Sequence, residues 1–340
     1  MKKYMNDLHY NQLTVRQRKI YNSLFEAIGG RRDSFPVDTV DLREVSPAYE
    51  AFSFDHPEYF YVDLNNVKLT IVAPGKGKAE LRYFYTPDET AHRKKSIEAA
   101  IGKLLDNRDF GNADALGRLR LIHDRLVRSV TYESHATVKG MIIPDALTIE
   151  GVFLRGSAVC EGIAKAVMYL GQKLGIDIPV VTGQATLDGV NLVPHAWNVA
   201  CIGGSYAHMD VTWDITLSTP LKFTRYDYFC IPDVDIREDH VFGGLFPCTH
   251  GIGLSFFERS HRIFNDMDSC KKYISDKLKE RSDVIYFKFT DHGSPPETIA
   301  KRMDDTITNM LRLRSLFMFD IEKAHNPKQG VYFYRILKRL

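Results

Sequence analysis

The chain has 340 residues, 44% of them hydrophobic and 26% charged, with a formal net charge of +2. These proportions fit a globular protein of two or three domains and exclude a disordered or membrane-embedded chain. So small a charge gives no footing for nucleic acid or an anionic membrane, and five scattered cysteines read as reduced thiols, not a disulfide framework.

The opening Met1-Lys-Lys-Tyr-Met-Asn-Asp lacks the apolar run of a signal peptide. No segment approaches the roughly 20 apolar residues of a spanning helix, so a cytoplasmic location is the expectation. Thr14-Val-Arg-Gln17 is a capping box that opens a helix burying Ile20, Tyr21, Leu24 and Ile28. Tyr59 to Val62, Val67 to Val72 and Leu81 to Tyr85 read as strands, the first two parted by Asn65-Asn66. A charged helix from Pro87 to Leu105 completes an α+β region assigned to residues 1–112.

A core follows over residues 113–235. Its basic run, Arg118 to Arg128, is interleaved with Leu119, Ile122, Asp124 and Leu126 and reads as the solvated face of a helix, not a phosphate-binding patch. Gly156-Ser157 is a turn, and Glu161 onward is helical, with Ala164, Val167, Met168 and Leu174 on one face and Gly175 at the end. Cys160 therefore falls at the first turn of an apolar helix, where unpaired amides and the dipole favour an anion and can meet a developing oxyanion. A buried, inert thiol is the bland alternative.

His195 to Ile202 and Ser205 to Trp213 read as a hairpin turned at Gly203-Gly204. That register sets Trp197 opposite Asp210 and His195 opposite Thr212, with all four on one face. His195 and Asp210 become diagonal neighbours at about 7 Å. Asp214, on the same face if the strand continues, is the second candidate for the carboxylate. His208 shares the strand and is read as structural or at a pocket rim.

A cysteine, a histidine and an aspartate in this arrangement suit a thiolate that attacks a carbonyl, an imidazole that moves the proton, and a carboxylate that orients the imidazole. Trp197, Tyr206 and Glu161 flank the three and are the candidates for contacting substrate. No Cys-x-x-Cys pair, His/Cys cluster or calcium-loop spacing occurs, so no metal or cofactor is expected. Cys201, Cys230, Cys248 and Cys270 carry no motif.

Residues 236–340 complete the chain with a second α+β region. A helix near Asp268 to Leu278, a strand at Val284 to Phe289, a helix opened by Ser294-Pro295-Pro-Glu297 and strands at Leu316 to Ile321 and Val331 to Leu337 suggest a small sheet with helices on one side.

From Leu116 to Asp214 the chain resembles the transglutaminase-like superfamily, in its bacterial branch of cysteine peptidases. The resemblance rests on Gly156-Ser-Ala-Val-Cys160-Glu-Gly162-Ile-Ala164, His195-Ala-Trp-Asn198 and Tyr206-Ala-His-Met-Asp210-Val-Thr-Trp-Asp214. It implies an α+β, papain-like core in which a Cys-bearing helix packs on an antiparallel sheet. It also implies Cys160 as nucleophile, His195 as base and acid, and Asp210 as orienting residue. Ala158 stands where the family commonly has glycine and Ile163 where it has an aromatic residue, which alters loop shape and pocket lining. Ser53-Phe-Asp-His-Pro57-Glu-Tyr-Phe60 also resembles a phrase that precedes the core in some bacterial members.

Three function classes follow. The favoured one is a thiol hydrolase, a cysteine peptidase or amidase on a peptide or protein substrate, with transamidation or deamidation as variants that differ only in what resolves the acyl-enzyme. The second is a non-catalytic binding or scaffold member of the family. The third, a nucleic-acid or metal-binding protein, is disfavoured by charge and spacing. The Cys160 backbone N–H is the natural first oxyanion donor, and no upstream Gln suggests itself as the second.

Overall fold

The structure is a computed structural model that describes residues 8–106, 108–133, 137–138, 141–186, 189–243, 253–290, 293–313 and 319–338. Cys248 lies outside these residues.

The helix Val15–Gly29, which follows the short helix Leu8–Gln12, starts as its capping box requires. Thr14 Oγ1 accepts the Gln17 N–H at 3.3 Å and Gln17 Oε1 accepts the Thr14 N–H at 3.0 Å. Its buried face, including Ile20, Tyr21, Leu24 and Ile28, meets the helix Leu42–Asp55, where Tyr49 and Phe52 are buried. A second capping box, Thr86 with Glu89, opens the helix Pro87–Leu105.

The strands of this region differ from expectation. Lys68–Ala73 forms, but its partner is Lys76–Glu80, joined through Gly75 in the left-handed region at φ 70°, with Ser34–Val37 on the far side. Ser34–Val37 contains Pro36, which an edge position tolerates. Tyr59–Val62 and Leu81–Tyr85 meet only at the bridge Val62–Tyr83, and Pro57–Tyr59 is a 3-10 turn. Their aromatic residues mimic a strand pattern yet serve packing: Tyr61 stacks on Tyr83 at 6.4 Å, Lys94 sits 4.6 Å over Tyr61, and Arg31 4.6 Å over Tyr83.

The central sheet is antiparallel, in the order Phe229–Ile231, Ser205–Met209, Val193–Ile202, Val180–Ala185, His240–Val241. The helix Cys160–Leu174 lies against it. Ala164 and Met168 pack with Ala196, Val180 and Phe54, and Asn198 Nδ2 donates to Ala164 O at 3.0 Å. Behind it runs the helix Ala115–Ser129, which buries Leu119, Ile122 and Leu126. Glycine is required at two close approaches. A Cβ on Gly162 would stand 2.4 Å from Ala146 O, and one on Gly183 would stand 2.4 Å from Val241 O.

The hairpin has the expected Gly203-Gly204 turn and register, from Ser205 opposite Ile202 to Met209 opposite Asn198. It then stops. The pairs Trp197–Asp210 and His195–Thr212 do not form, because Asp210 caps a new helix, Val211–Ser218, by accepting the Trp213 N–H at 3.0 Å. The β-branched and aromatic run Val211-Thr-Trp213 favours a strand, but the capping carboxylate decides the outcome.

Near the C-terminus, Met267–Lys279, Val284–Phe289, Pro296–Leu313, Phe319–Lys323 and Val331–Lys338 follow the expected α-β-α-β-β order, with a short parallel strand Ile263–Phe264 added. Residues 316–318 of the expected strand fall outside the described residues. Strand alternation gives this sheet two faces. Ile285, Phe287, Tyr332 and Tyr334 pack with Ile274, Met303 and Ile307 of the two helices, whereas Tyr286 and Phe333 join the central core.

Candidate active site

Cys160 opens its helix without a side-chain cap. Val159 occupies the cap position and carries no acceptor, so no side chain takes up the first-turn amides. The preceding turn is set by Gly156 at φ 69° and by the short parallel pairing of Ser157–Ala158 with Thr131–Tyr132. The thiol is half-buried.

His195 reaches the site from the strand Val193–Ile202. Its Nε2 lies 2.7 Å from Asp210 Oδ2, and Cys160 is near enough to the same ring to favour its charged form. With Nε2 spent on the carboxylate, Nδ1 remains for the sulfur. Burial works against a charged ring, but the Asp210 charge and hydrogen bond outweigh it, with Cys160 adding to them, and raise His195 to about 10. Burial alone would raise Asp210. The facing His195 charge and hydrogen bonds from His195 and His240 instead hold it well below the usual carboxylate range.

His240 was not anticipated. Its Nε2 stands 3.1 Å from Asp210 Oδ2 and its Nδ1 2.6 Å from Asp239 Oδ1. A carboxylate at each nitrogen favours the charged form of the ring, which donates from both. Burial opposes that charge, and the Asp210 and Asp239 bonds raise His240 above its ordinary value. Asp239 is fixed in turn by Tyr228 Oη at 2.7 Å and Gln329 Nε2 at 3.0 Å, and Asn326 Nδ2 donates to Tyr228 Oη at 3.0 Å. The C-terminal region thus reaches the carboxylate behind the site.

Trp197 is 1% exposed and does not face a ligand. It stacks on His195 at 5.9 Å and donates its indole N–H to His208 Nδ1 at 3.0 Å. Because an indole only donates, His208 Nδ1 must accept, and its Nε2–H points to Asp233 at 2.9 Å. Burial lowers His208 to about 4, consistent with a neutral structural ring. Tyr206 packs half-buried beside Trp197, and Glu161 pairs with Lys165 Nζ at 2.6 Å. Tyr132, from the short strand beside the nucleophile, is raised by burial and by the nearby Cys160 and Asp210.

Asp214 does not approach His195. It binds His123 Nε2 at 2.9 Å and accepts the Tyr228 N–H at 3.2 Å. Complete burial pushes it to about 7, against the His123 bond. Cys230 and Cys270 are buried, and burial raises both thiols, Cys270 to about 12. Cys201 is half-buried on the hairpin.

His195, Asp210 and His240 offer ligand atoms within 4.8 Å of one another, a spacing open to a metal ion. The three already satisfy each other through shared protons, with Asp239 neutralising the second ring, so the network is complete in charge and hydrogen bonds without an ion.

No protein-family model matches this chain, and no curated protein matches it. Among solved structures it is similar to "a TGase" at 12% identity and a TM-score of 0.31, over 53% of this chain and 50% of that one. A "Putative Cysteine Protease from Cytophaga hutchinsonii" gives 13% identity and a TM-score of 0.26, over 43% of this chain and 61% of that one. A "Putative Protease from Parabacteroides distasonis" gives 9% and 0.25, over 43% and 36%. The chain spans about half the length of the TGase it matches.

Proposed function

We propose that this protein is a thiol-dependent amide-bond enzyme, a cysteine peptidase or amidase with Cys160 as nucleophile, His195 as base and acid, and Asp210 as orienting carboxylate. The observation that carries the reading is one imidazole shared between two partners. His195 holds the buried Asp210 through Nε2 at 2.7 Å, and Cys160 is near enough to the same ring to favour its charged form. Such a ring takes the thiol proton, and the carboxylate stabilises the resulting imidazolium.

The steps follow from these groups. The thiolate adds to the substrate carbonyl carbon, and the oxyanion forms at the helix terminus, within reach of the Cys160 N–H. His195 delivers its proton to the amide nitrogen, the C–N bond breaks, the amine leaves, and a thioester remains on Cys160. Water gives a proton to His195 as it attacks the thioester; the carboxylic acid departs and the thiol is restored. An amine in place of water would give transamidation by the same steps.

The test is mass spectrometry of the full chain incubated with a peptide library, with and without a primary amine. Cys160-dependent cleavage supports the peptidase reading, and amine-dependent mass gain on the peptides redirects it to acyl transfer. Absence of any Cys160-dependent product would return the chain to the class of binding modules.

A further inference from the structure

The short strand Thr131–Tyr132 stands beside both ends of the catalytic set. It pairs in parallel with Ser157–Ala158, which sets Tyr132 opposite Ala158, and it lies against the helix Val211–Ser218 that Asp210 caps. Paired residues of neighbouring strands share a face, and so do alternate residues along one strand. Ser157 and Glu133 take one face, where Ser157 Oγ donates to Glu133 Oε2 at 2.7 Å. Tyr132 and Ala158 take the other. Ala158 is turned toward the Cys160 helix, since a Cβ added to Gly162 would stand 3.0 Å from the Ala158 Cβ. Val159 is extended, at φ −86° and ψ 176°, so Cys160 follows Ala158 on the same face. Strand spacing and rise put the Tyr132 and Cys160 backbones about 8 Å apart, a gap that a phenol side chain spans.

The hydroxyl is unengaged. Tyr132 is half-buried, and among the described residues its Oη has no hydrogen-bond partner. The Cys160 N–H likewise donates to none of them. Burial, with the charges of Cys160 and Asp210 added, raises the phenol above its ordinary value, so it keeps its proton through the neutral range. A protonated phenol has one hydrogen bond to give. The group near it that gains charge during the reaction is the carbonyl oxygen under attack.

We propose that Tyr132 is a catalytic residue whose Oη donates the second hydrogen bond to the oxyanion, beside the Cys160 N–H. As the C–S bond forms, the carbonyl π pair moves onto the oxygen and both donors hold it. No proton is transferred there, and the pair returns to the carbonyl as the C–N bond breaks. The assignment rests on the thiol-enzyme reading.

Two probes of the full chain test it. p-Nitrophenyl acetate acetylates Cys160 through an oxyanion and releases p-nitrophenolate, whereas iodoacetamide alkylates the same thiolate with loss of iodide and forms no oxyanion. Tyr132→Phe should slow p-nitrophenolate release by about 100-fold or more. Its alkylation should stay within about twofold of the unmodified chain, with the same pH profile, because that reaction follows the thiolate alone. Unchanged acetylation in Tyr132→Phe would overturn the proposal and leave the thiol enzyme standing. An equal fall in both reactions would also overturn it, since that marks a residue supporting the thiolate or the fold. If mass spectrometry finds no acetyl group on Cys160 of the unmodified chain, the thiol-enzyme reading itself is lost, and the role of Tyr132 with it.

Discussion

Two histidine–aspartate pairs meet at the helix Val211–Ser218, alike in chemistry and unlike in surroundings. Asp210 caps the helix and holds His195 at 2.7 Å, while Asp214, one turn on, holds His123 at 2.9 Å. The second pair is sealed. His123 presents its other nitrogen to Asp124 at 3.3 Å and stacks on Tyr226 at 5.0 Å, with no nucleophile among its described partners. The carboxylates also diverge. Asp210 receives two imidazoles and an amide and is held low, whereas Asp214 receives one imidazole and longer amide contacts, feels Asp227, and is pushed to about 7. A buried His–Asp pair is thus a structural element by default. On the function proposed above, it gains a chemical role where a thiol stands beside the same ring.

The sharpest way to break this contrast is to remove the thiol. Cys160→Ala should reduce turnover to background with an unchanged unfolding midpoint, while Cys201→Ala should change activity little. Retained amidase or transferase activity in Cys160→Ala would erase the distinction between the pairs.

Next come the carboxylates. Asp210→Asn keeps a capping side chain but loses the charge, and should lower kcat on the order of 10- to 1000-fold. Asp214→Asn should affect folding more than rate. Because the folded state holds the Asp214 proton up to about 7, and an unfolded chain releases it near about 3.9, this group costs stability progressively as pH rises from 4 to 7. Urea unfolding at several pH values should show that slope flattened in Asp214→Asn. Wild-type kinetics from Asp210→Asn with collapse in Asp214→Asn would exchange the two roles.

His240 refines the comparison, since only the first pair has a second ring. His240→Gln keeps an N–H for Asp210 but removes a positive charge near His195. The His195 imidazolium should then hold its proton more firmly, moving the alkaline limb of kcat/KM upward by about one pH unit. An unmoved limb would make His240 a packing residue only.

The smallest effect concerns the stability of the intact pair. With His195 raised to about 10, its stabilising contribution is full below about 6.5 and is lost as pH rises from there toward about 10. Thermal midpoints should fall across this window in the unmodified protein and fall less in Asp210→Asn. Parallel curves would place the pH dependence elsewhere.

Much of this arrangement could be read from local sequence. The Thr14 capping box, the Cys160 helix with Gly175 at its end, the Gly203-Gly204 register and the C-terminal element order each rest on signals within a few residues. The misreadings have a common cause, which is that propensity was outweighed by longer-range partners. Val211-Thr-Trp213 favours a strand but follows an aspartate placed to cap, and a carboxylate three residues before Trp213 was the available clue. Tyr59–Val62 spends its rings on Arg31, Lys94 and Tyr83. His240 arrives on a two-residue strand paired with Val180–Ala185, a contact with no local signature. His123 lies on an amphipathic helix, where one buried histidine looks like any other.

Asp210 divides its two oxygens between two tasks: Oδ1 takes the Trp213 amide, and Oδ2 takes both imidazoles. Serine, threonine or asparagine would still start the helix but would bring no negative charge to the rings. A residue chosen for charge alone would have to reach the rings without giving up the helix start. The position therefore answers two independent demands, one from the start of the helix and one from the charge on the rings. A substitution that meets the first can still fail the second, with no contact to substrate involved.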